Sequence, residues 1–522
     1  MTGPLTAMLG TTPFTIDDLD ALASARGTVV LSPDARERIK VSRSVVERYA
    51  AGEEPVYGLN TGLGGNLGFR VERAELERFQ EQLVRGRTLG AGEPLPVMVC
   101  RAALIARCIG LAQGGAGISQ PVLDLLLAMI GQDVTPVIPR RGSIGAGDLG
   151  LSAHIAAVAI GRGEAWYGGA RLPGHAALAA AGLEPVALGT KDGHALCNSS
   201  AVTAGHAAVA LADASRLLLF AVHAAALACE SYAANRSAFD ERVVALRPAA
   251  RQEDAAAIFR RLLDGGALED PGRARQIQDP LSFRCLPQIL GVVLQAHGDA
   301  RREVEIELNA GSDNPAVLLP DGPMLSNGNF LTPAIALRFD SLKIAFAQMA
   351  TACFHRIARL LDPAHSDLPR YLSPVGGAAA GYAPVQKLCA ALLGEVRLRA
   401  SAAGIDAMPV SDNVEDVAPQ TPLAISELAD QLVPLRILAA IEALVAAQAV
   451  DLRAGARLGP GTRRLHGAIR GLVPHLQADR EPAPDIERVV GLASDPDLLA
   501  DLALGLEGLE LPFLPRFAAV DA

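Results

Sequence analysis

Over the first 190 residues, apolar positions come in short runs separated by glycine-rich breaks; beyond them they merge into long stretches with helical spacing. Thr15-Ile16-Asp17-Asp18 predicts a helix cap, Thr28 to Ser32 a short strand, and Ser32 to Tyr49 a helix. Helical periodicity returns from Glu72 to Arg87 and from Pro96 to Ala112. The chain then runs through Pro121 to Gly131 and an apolar, proline-broken run, Val134 to Pro139, which leads to a helix-like segment from Leu151 to Ile160. From about 190 onward the long segments lie near 198–235, 283–309, 329–362, 380–404 and 420–455. Thirty residues of helix span ~45 Å, and segments of that length that are apolar on most sides imply a bundle in which each helix packs on several others. Proline, glycine and charge gather in the connections, as in Asp264 to Gly272 and Asp362 to Gly377. No internal repeat or low-complexity linker is present. The pattern predicts a mainly α chain in three parts: a loop-rich part at 1–195, a central long-helix bundle at 196–455 and shorter, proline-broken helices at 456–522.

Composition narrows this picture. Half of the 522 residues are apolar and 20% are charged, so a large core can be buried. A net charge of −10 argues against a nucleic-acid partner. The seven cysteines are scattered and form no C-x-x-C pair, which reads as buried thiols in a reducing cytoplasm rather than a disulfide or zinc framework. Met1 to Gly10 has no basic stretch ahead of an apolar one, so no signal peptide is expected. Apolar runs such as Leu217 to Cys229 read as too short to span a bilayer, and no membrane partner is expected. No pair of histidines has metal-ligand spacing, and no metal is expected.

The candidate chemistry centres on Arg140 to His154, which places four glycines between Gly142 and Gly150. That density predicts a specially shaped loop feeding a helix. Gly145-Ala146-Gly147-Asp148-Leu149-Gly150 spells a dinucleotide fingerprint, but Pro139, Arg140 and Arg141 interrupt the strand that should precede it, and alanine-rich helices follow. Further motifs are Tyr57-Gly58-Leu59-Asn60-Thr61-Gly62, His194-Ala195-Leu196-Cys197-Asn198, Gln276 to Cys285, Asn309 to Pro315, Gly328-Asn329-Phe330 and Asp412-Asn413-Val414-Glu415-Asp416.

Together, and in this order, these motifs resemble the histidine and aromatic amino acid ammonia-lyase family over nearly the whole chain. The resemblance implies a helical homotetramer with shared active sites, a smaller loop-rich N-terminal part and a small amino acid or betaine as substrate. In that family an Ala-Ser-Gly tripeptide cyclises to an electrophilic methylidene-imidazolone. Here Gly142-Ser143-Ile144-Gly145 and Gly147-Asp148-Leu149 match the flanks, but Ala146 is followed directly by Gly147, and the chain contains no Ser-Gly dipeptide. The serine supplies the exocyclic carbon, so the sequence by itself predicts that no cofactor forms.

By the same resemblance Tyr57 is the base for the β-proton, a task that calls for a positive field around the phenol. Asn198 lies near the reacting centre, and Arg284, in a Gln278-Asp279-Pro280-Leu281-Ser282-Phe283-Arg284 run, forks onto the substrate carboxylate. Leu281 replaces a family tyrosine. Phe330 walls the pocket, and Glu415 faces the leaving nitrogen. Arg87 falls where histidine-selective members have a ring-reading histidine, and Lys387 falls on a pocket-lining helix; either can equally be a solvated surface charge. Lys191 is a weaker candidate, and His154 reads as a structural hydrogen-bonding residue. The implied reaction is 1,2-elimination of an amine from a histidine-like substrate, a carbon–nitrogen lyase activity. Without the electrophile a quaternary ammonium is the easier leaving group, which points to trimethylamine leaving ergothioneine to give thiolurocanate. The alternatives are an electrophile-dependent histidine or aromatic ammonia-lyase and an inactive homologue that binds a small zwitterion.

Overall fold

The computed structural model describes residues 5–405 and 408–520. Strand β1 (Thr6–Leu9) pairs in parallel with β2 (Thr28–Leu31), and helix α1 (Ile16–Ser24) lies between them in sequence. The Thr15 hydroxyl accepts from Asp18 N–H while the Asp18 carboxylate accepts from Thr15 N–H, a reciprocal cap that satisfies two helix-end donors. Asp18 also accepts the N–H groups of Ala518, Ala519 and Val520, which ties the end of the described chain to its beginning. Helix α2 (Pro33–Ala51) starts at Ser32 and is followed by α3 (Leu76–Arg87), α4 (Val97–Ala112), α5 (Gln120–Gly131) and α6 (Leu149–Ala159). Apart from α5, which covers a stretch the sequence reading leaves unassigned, each of these helices falls within a residue or a few of its expected place.

The small sheets are what the apolar pattern left out. β3 (Ala91–Pro94) pairs with β5 (Pro139–Arg141), and β4 (Thr135–Pro136) pairs with β6 (Glu164–Tyr167), which forms a hairpin with β7 (Ala170–Pro173). Pro139-Arg140-Arg141 therefore does not interrupt a strand; it is one, in a two-stranded ladder where a missing proline N–H is tolerated. The β6–β7 turn is Gly168-Gly169, both at positive φ, as a two-residue hairpin requires.

Beyond residue 190 the chain is a bundle: α7 (Asp192–Cys197), α8 (Ala201–Tyr232), α9 (Leu286–Leu308), α10 (Pro333–Leu360), α11 (Val385–Leu398) and α12 (Thr421–Leu452), with α13 (Pro460–Leu472) and shorter helices after it. Helices α8 and α12 form the centre; α8 packs on α12 and α4, and α12 also packs on α10 and α11. Alanine-rich faces let the axes come close. At Gly205 on α8 an added Cβ would lie 2.6 Å from the Ala103 nitrogen of α4, so only glycine fits. One correction concerns length: the stretches Asp192–Tyr232 and Thr421–Leu452 are each long and apolar enough to cross a membrane, contrary to the sequence reading. In the fold their apolar windows are 83% buried against other helices, so the bundle itself accounts for that hydrophobicity.

Candidate active site

The Gly142–Gly150 loop is held from below by Asp148. Ser143 donates its hydroxyl to Asp148 Oδ1 (2.6 Å) and accepts from Gly145 N–H (3.1 Å). Thr203, on α8, donates its N–H to Asp148 Oδ2 (2.8 Å) and its hydroxyl to Oδ1 (3.0 Å). Burial pushes the Asp148 carboxyl above its ordinary range, and these hydrogen bonds oppose the push. Gly145 and Gly147 both have positive φ, 83° and 81°. Gly147 donates to the Phe330 carbonyl (3.2 Å) and accepts from Ser199 N–H (3.0 Å), and Ala146 bridges Leu331. The loop is thus stitched to three segments, 198–203, 328–332 and, through Gln420 N–H on the Ile144 carbonyl, 419–421.

Beside this loop lies a cavity of about 390 Å³. Tyr57, Ala146, Asn198, Phe330 and Glu415 all line it, together with Leu63, His194, Asn314 and Val414. The Tyr57 loop sits on a small separate core that includes Val45, Val46, Val56 and Leu59. Asn60 braces the loop from inside: its side chain accepts from Val56 N–H (2.7 Å) and donates to the Glu54 carbonyl (2.8 Å). Tyr57 is half-buried, and its phenol oxygen accepts the Gly64 N–H (3.0 Å). Glu415 sits in a tight turn with Ser411, Asp412 and Asn413 all at positive φ, and Ser411 donates to its carboxylate (2.8 Å). Asn198 ends α7 rather than starting a helix, and its amide nitrogen donates to the Asn314 carbonyl (2.7 Å).

The other candidate residues lie elsewhere. Gln278 and Arg284 do not line this cavity. They sit together at the turn before α9, where the Gln278 side-chain oxygen, in its hydrogen-bonding orientation, accepts from both Arg284 terminal nitrogens (3.3 and 3.1 Å). That turn is fixed from behind: Arg356 of α10, paired with Glu442 of α12 (2.9 Å), donates to the Ser282 carbonyl (3.1 Å), and Phe283 stacks on Tyr232 (4.2 Å). Lys387 is exposed on α11 and does not line the cavity either. Arg87 ends α3, half-buried, close enough for its charge to act on His194. Lys191 is not a site residue in this geometry: it is buried, donates to the Ala116 carbonyl (2.6 Å), and is pushed down to about 8 by that burial. His154 is partly buried, with Nε2 unpartnered, and burial lowers its imidazole pKa.

Sequence reading missed His194. Its ring meets the Tyr57 ring edge-on at 5.7 Å, and Nε2 lies 3.1 Å from the Asn198 amide nitrogen. The signal was available: residues 194 and 198 are one helical turn apart and so share a face.

The family model for aromatic amino acid lyase matches residues 14–471. Histidine ammonia-lyase of Myxococcus xanthus (strain DK1622) is 37% identical over 487 residues, covering 93% of this chain and 96% of the relative. Histidine ammonia-lyase of Anaeromyxobacter sp. (strain K) is 39% identical over 502 residues, covering 94% and 99%. Among solved structures, Treponema denticola ergothionase in complex with desmethyl-ergothioneine sulfonic acid superposes with a TM-score of 0.89 at 29% identity, covering 96% of this chain and 99% of that one. Histidine ammonia-lyase from Trypanosoma cruzi superposes with a TM-score of 0.88 at 27% identity, covering 98% and 96%.

These likenesses overturn one expectation. A chain this similar to histidine ammonia-lyases falls among enzymes that use the methylidene-imidazolone, so the expectation of no cofactor is withdrawn. The loop that would carry the group is present and closely held, but its residues do not fit the group's formation: Ala146 joins Gly147 directly, with no serine between them. The chemistry that follows is therefore assigned to the chain's own side chains.

Proposed function

The chain belongs to the aromatic amino acid lyase family, and from that premise we propose that it eliminates an amine from a histidine-type amino acid, ammonia from histidine being the reaction its relatives favour. It is a carbon–nitrogen lyase of that family. The observation that carries the substrate reading is the 37–39% identity to two histidine ammonia-lyases over nearly the full length of each. Tyr57 takes the β-proton, with the Gly64 N–H holding its oxygen in place. Glu415 receives the nitrogen as it departs with positive charge. Phe330 forms part of one wall of the cavity.

Arg284, backed by Gln278, binds the substrate carboxylate, and it does so from a neighbouring copy of the chain. The support is that neither residue lines the Tyr57 cavity, while large apolar side chains beside them, such as Ile277 and Leu281, are exposed at 95% and 61%. A homotetramer with shared sites accounts for both facts.

A second reading, loss of trimethylamine from ergothioneine, is favoured by the direct Ala146–Gly147 join and by the likeness to the Treponema denticola enzyme. A quaternary ammonium departs as a neutral amine and cannot lose a proton first, so it asks least of the site. Incubating the purified protein separately with histidine and ergothioneine decides between them. Ammonia and urocanate support the first reading; trimethylamine and thiolurocanate support the second. Folded protein that releases neither removes both and leaves a binding homologue.

A further inference from the structure

His194 has no role in the reaction as described, yet it touches Tyr57, the proposed base, and Asn198, which lines the same cavity. The contacts around it fix which atoms donate. The Asn314 carbonyl can only accept, so the Asn198 atom 2.7 Å from it is the amide nitrogen. That nitrogen has a second hydrogen, directed at His194 Nε2, 3.1 Å away. An amide nitrogen only donates, so Nε2 accepts, and a neutral ring then carries its proton on Nδ1. Nδ1 packs on the backbone of Gly58, where an added Cβ would lie 1.7 Å from it. Burial, reinforced by the positive charge of Lys191, pushes this imidazole down to about 3, so it stays neutral near pH 7.

With both amide hydrogens engaged, Asn198 has one free polar atom, Oδ1. It lies on the Gly147 side, 2.7 Å from where a Cβ of residue 147 would be, and it accepts no hydrogen bond among the described residues. Left alone, a primary amide can present either end to a ligand. Here it cannot turn over without losing both bonds.

We propose that His194 is a positioning residue that locks the Asn198 amide with its carbonyl oxygen free for substrate, so that this corner selects ligands bearing a cationic or N–H-bearing nitrogen. The inference deepens the lyase reading above and rests on it for the identity of the substrate. The rest of the wall agrees in sign. Glu415, Asp416 and Tyr57 also line this cavity, and no lysine or arginine lines it among the described residues. The amine end of the substrate therefore belongs here, and its carboxylate must be met by a different group.

The test compares His194→Leu with His194→Gln; Gln keeps an acceptor able to take the Asn198 hydrogen, and Leu does not. In His194→Leu the KM for whichever of histidine or ergothioneine is turned over should rise about tenfold, the scale of one hydrogen bond to a charged group, and His194→Gln should return it to within about threefold. Inhibition by imidazolepropionate, which keeps ring and carboxylate but lacks the amine, should be unchanged in both. Equal weakening of both ligands in His194→Leu, or no rescue by Gln, overturns the inference. If the unmodified protein turns over neither substrate, the lyase reading fails, and the lock is then judged on its own by nitrogen-15 NMR of the imidazoles. The signal that disappears in His194→Leu should be a neutral ring protonated at Nδ1; a ring protonated at Nε2, or a charged one, overturns it.

Discussion

At the scale of single residues, the site depends on a few atoms held in one orientation. Tyr57 is positioned by its loop, so removing only its oxygen tests chemistry without disturbing structure. Tyr57→Phe should lower kcat by about 10²-fold or more, the usual range for a lost general base, while calorimetry shows substrate still binding. Asp148 tests the opposite case, a group that does no chemistry. Its side chain accepts three hydrogen bonds, one from Ser143 and two from Thr203. Asp148→Ala would leave the Thr203 N–H and both hydroxyls without that acceptor and should cost about 1–3 kcal/mol in chemical denaturation. The motifs around Tyr57, Asn198, Phe330 and Glu415 were legible because their residue types and order survive in the sequence. His194 left only its one-turn spacing from Asn198 as a signal; whether a histidine in an apolar helix packs or positions that neighbour is settled by the contact itself.

Among elements, the long helices carry buried polar groups that join distant parts of the chain. Glu230, near the end of α8, accepts the Gly459 N–H (2.8 Å) just before α13, and its second oxygen is buried without a partner. Burial pushes its carboxyl from the ordinary 4.5 up to about 7. The folded state therefore holds this proton more tightly than the unfolded one. As pH rises from about 4.5 to about 7 the folded chain must give the proton up at a cost, so this group's contribution to stability falls across that window and stays low above it. Glu230→Gln should flatten that part of the stability profile by about 2–3 kcal/mol, read as denaturation midpoints at pH 5 and pH 8. The helices themselves were legible from periodicity. Of the short strands only β2 was, as the run from Thr28 to Ser32; the others, two to four residues each and several beginning or ending in proline, carry too few positions to show an alternation.

At the scale of the whole molecule, the chain divides its proposed site residues. Tyr57, Asn198, Phe330 and Glu415 line one cavity, while Arg284, Gln278 and Lys387 stand apart from it. If sites are shared between copies, Tyr57→Phe and Arg284→Ala are each inactive alone, but mixed tetramers contain some sites with both residues intact. Co-expressing the two variants and isolating the mixed species should restore up to about a quarter of the unmodified activity, and light scattering should give four chains per particle. A monomer, or mixed species with no restored turnover, speaks against shared sites.

What the sequence determined by itself was the mainly α class, the family and the order of its motifs, because hydrophobic period and residue type are local properties. Tertiary structure alone decided how those motifs meet. It showed that Lys191 is a buried structural cation and that two membrane-length apolar helices lie inside a bundle. It also put Asn198 between Asn314 and His194, and kept Arg284 and Lys387 out of the Tyr57 cavity. These outcomes depend on contacts between residues far apart in the chain. A pattern read along one segment has no knowledge of which distant carbonyl or helix face will meet it.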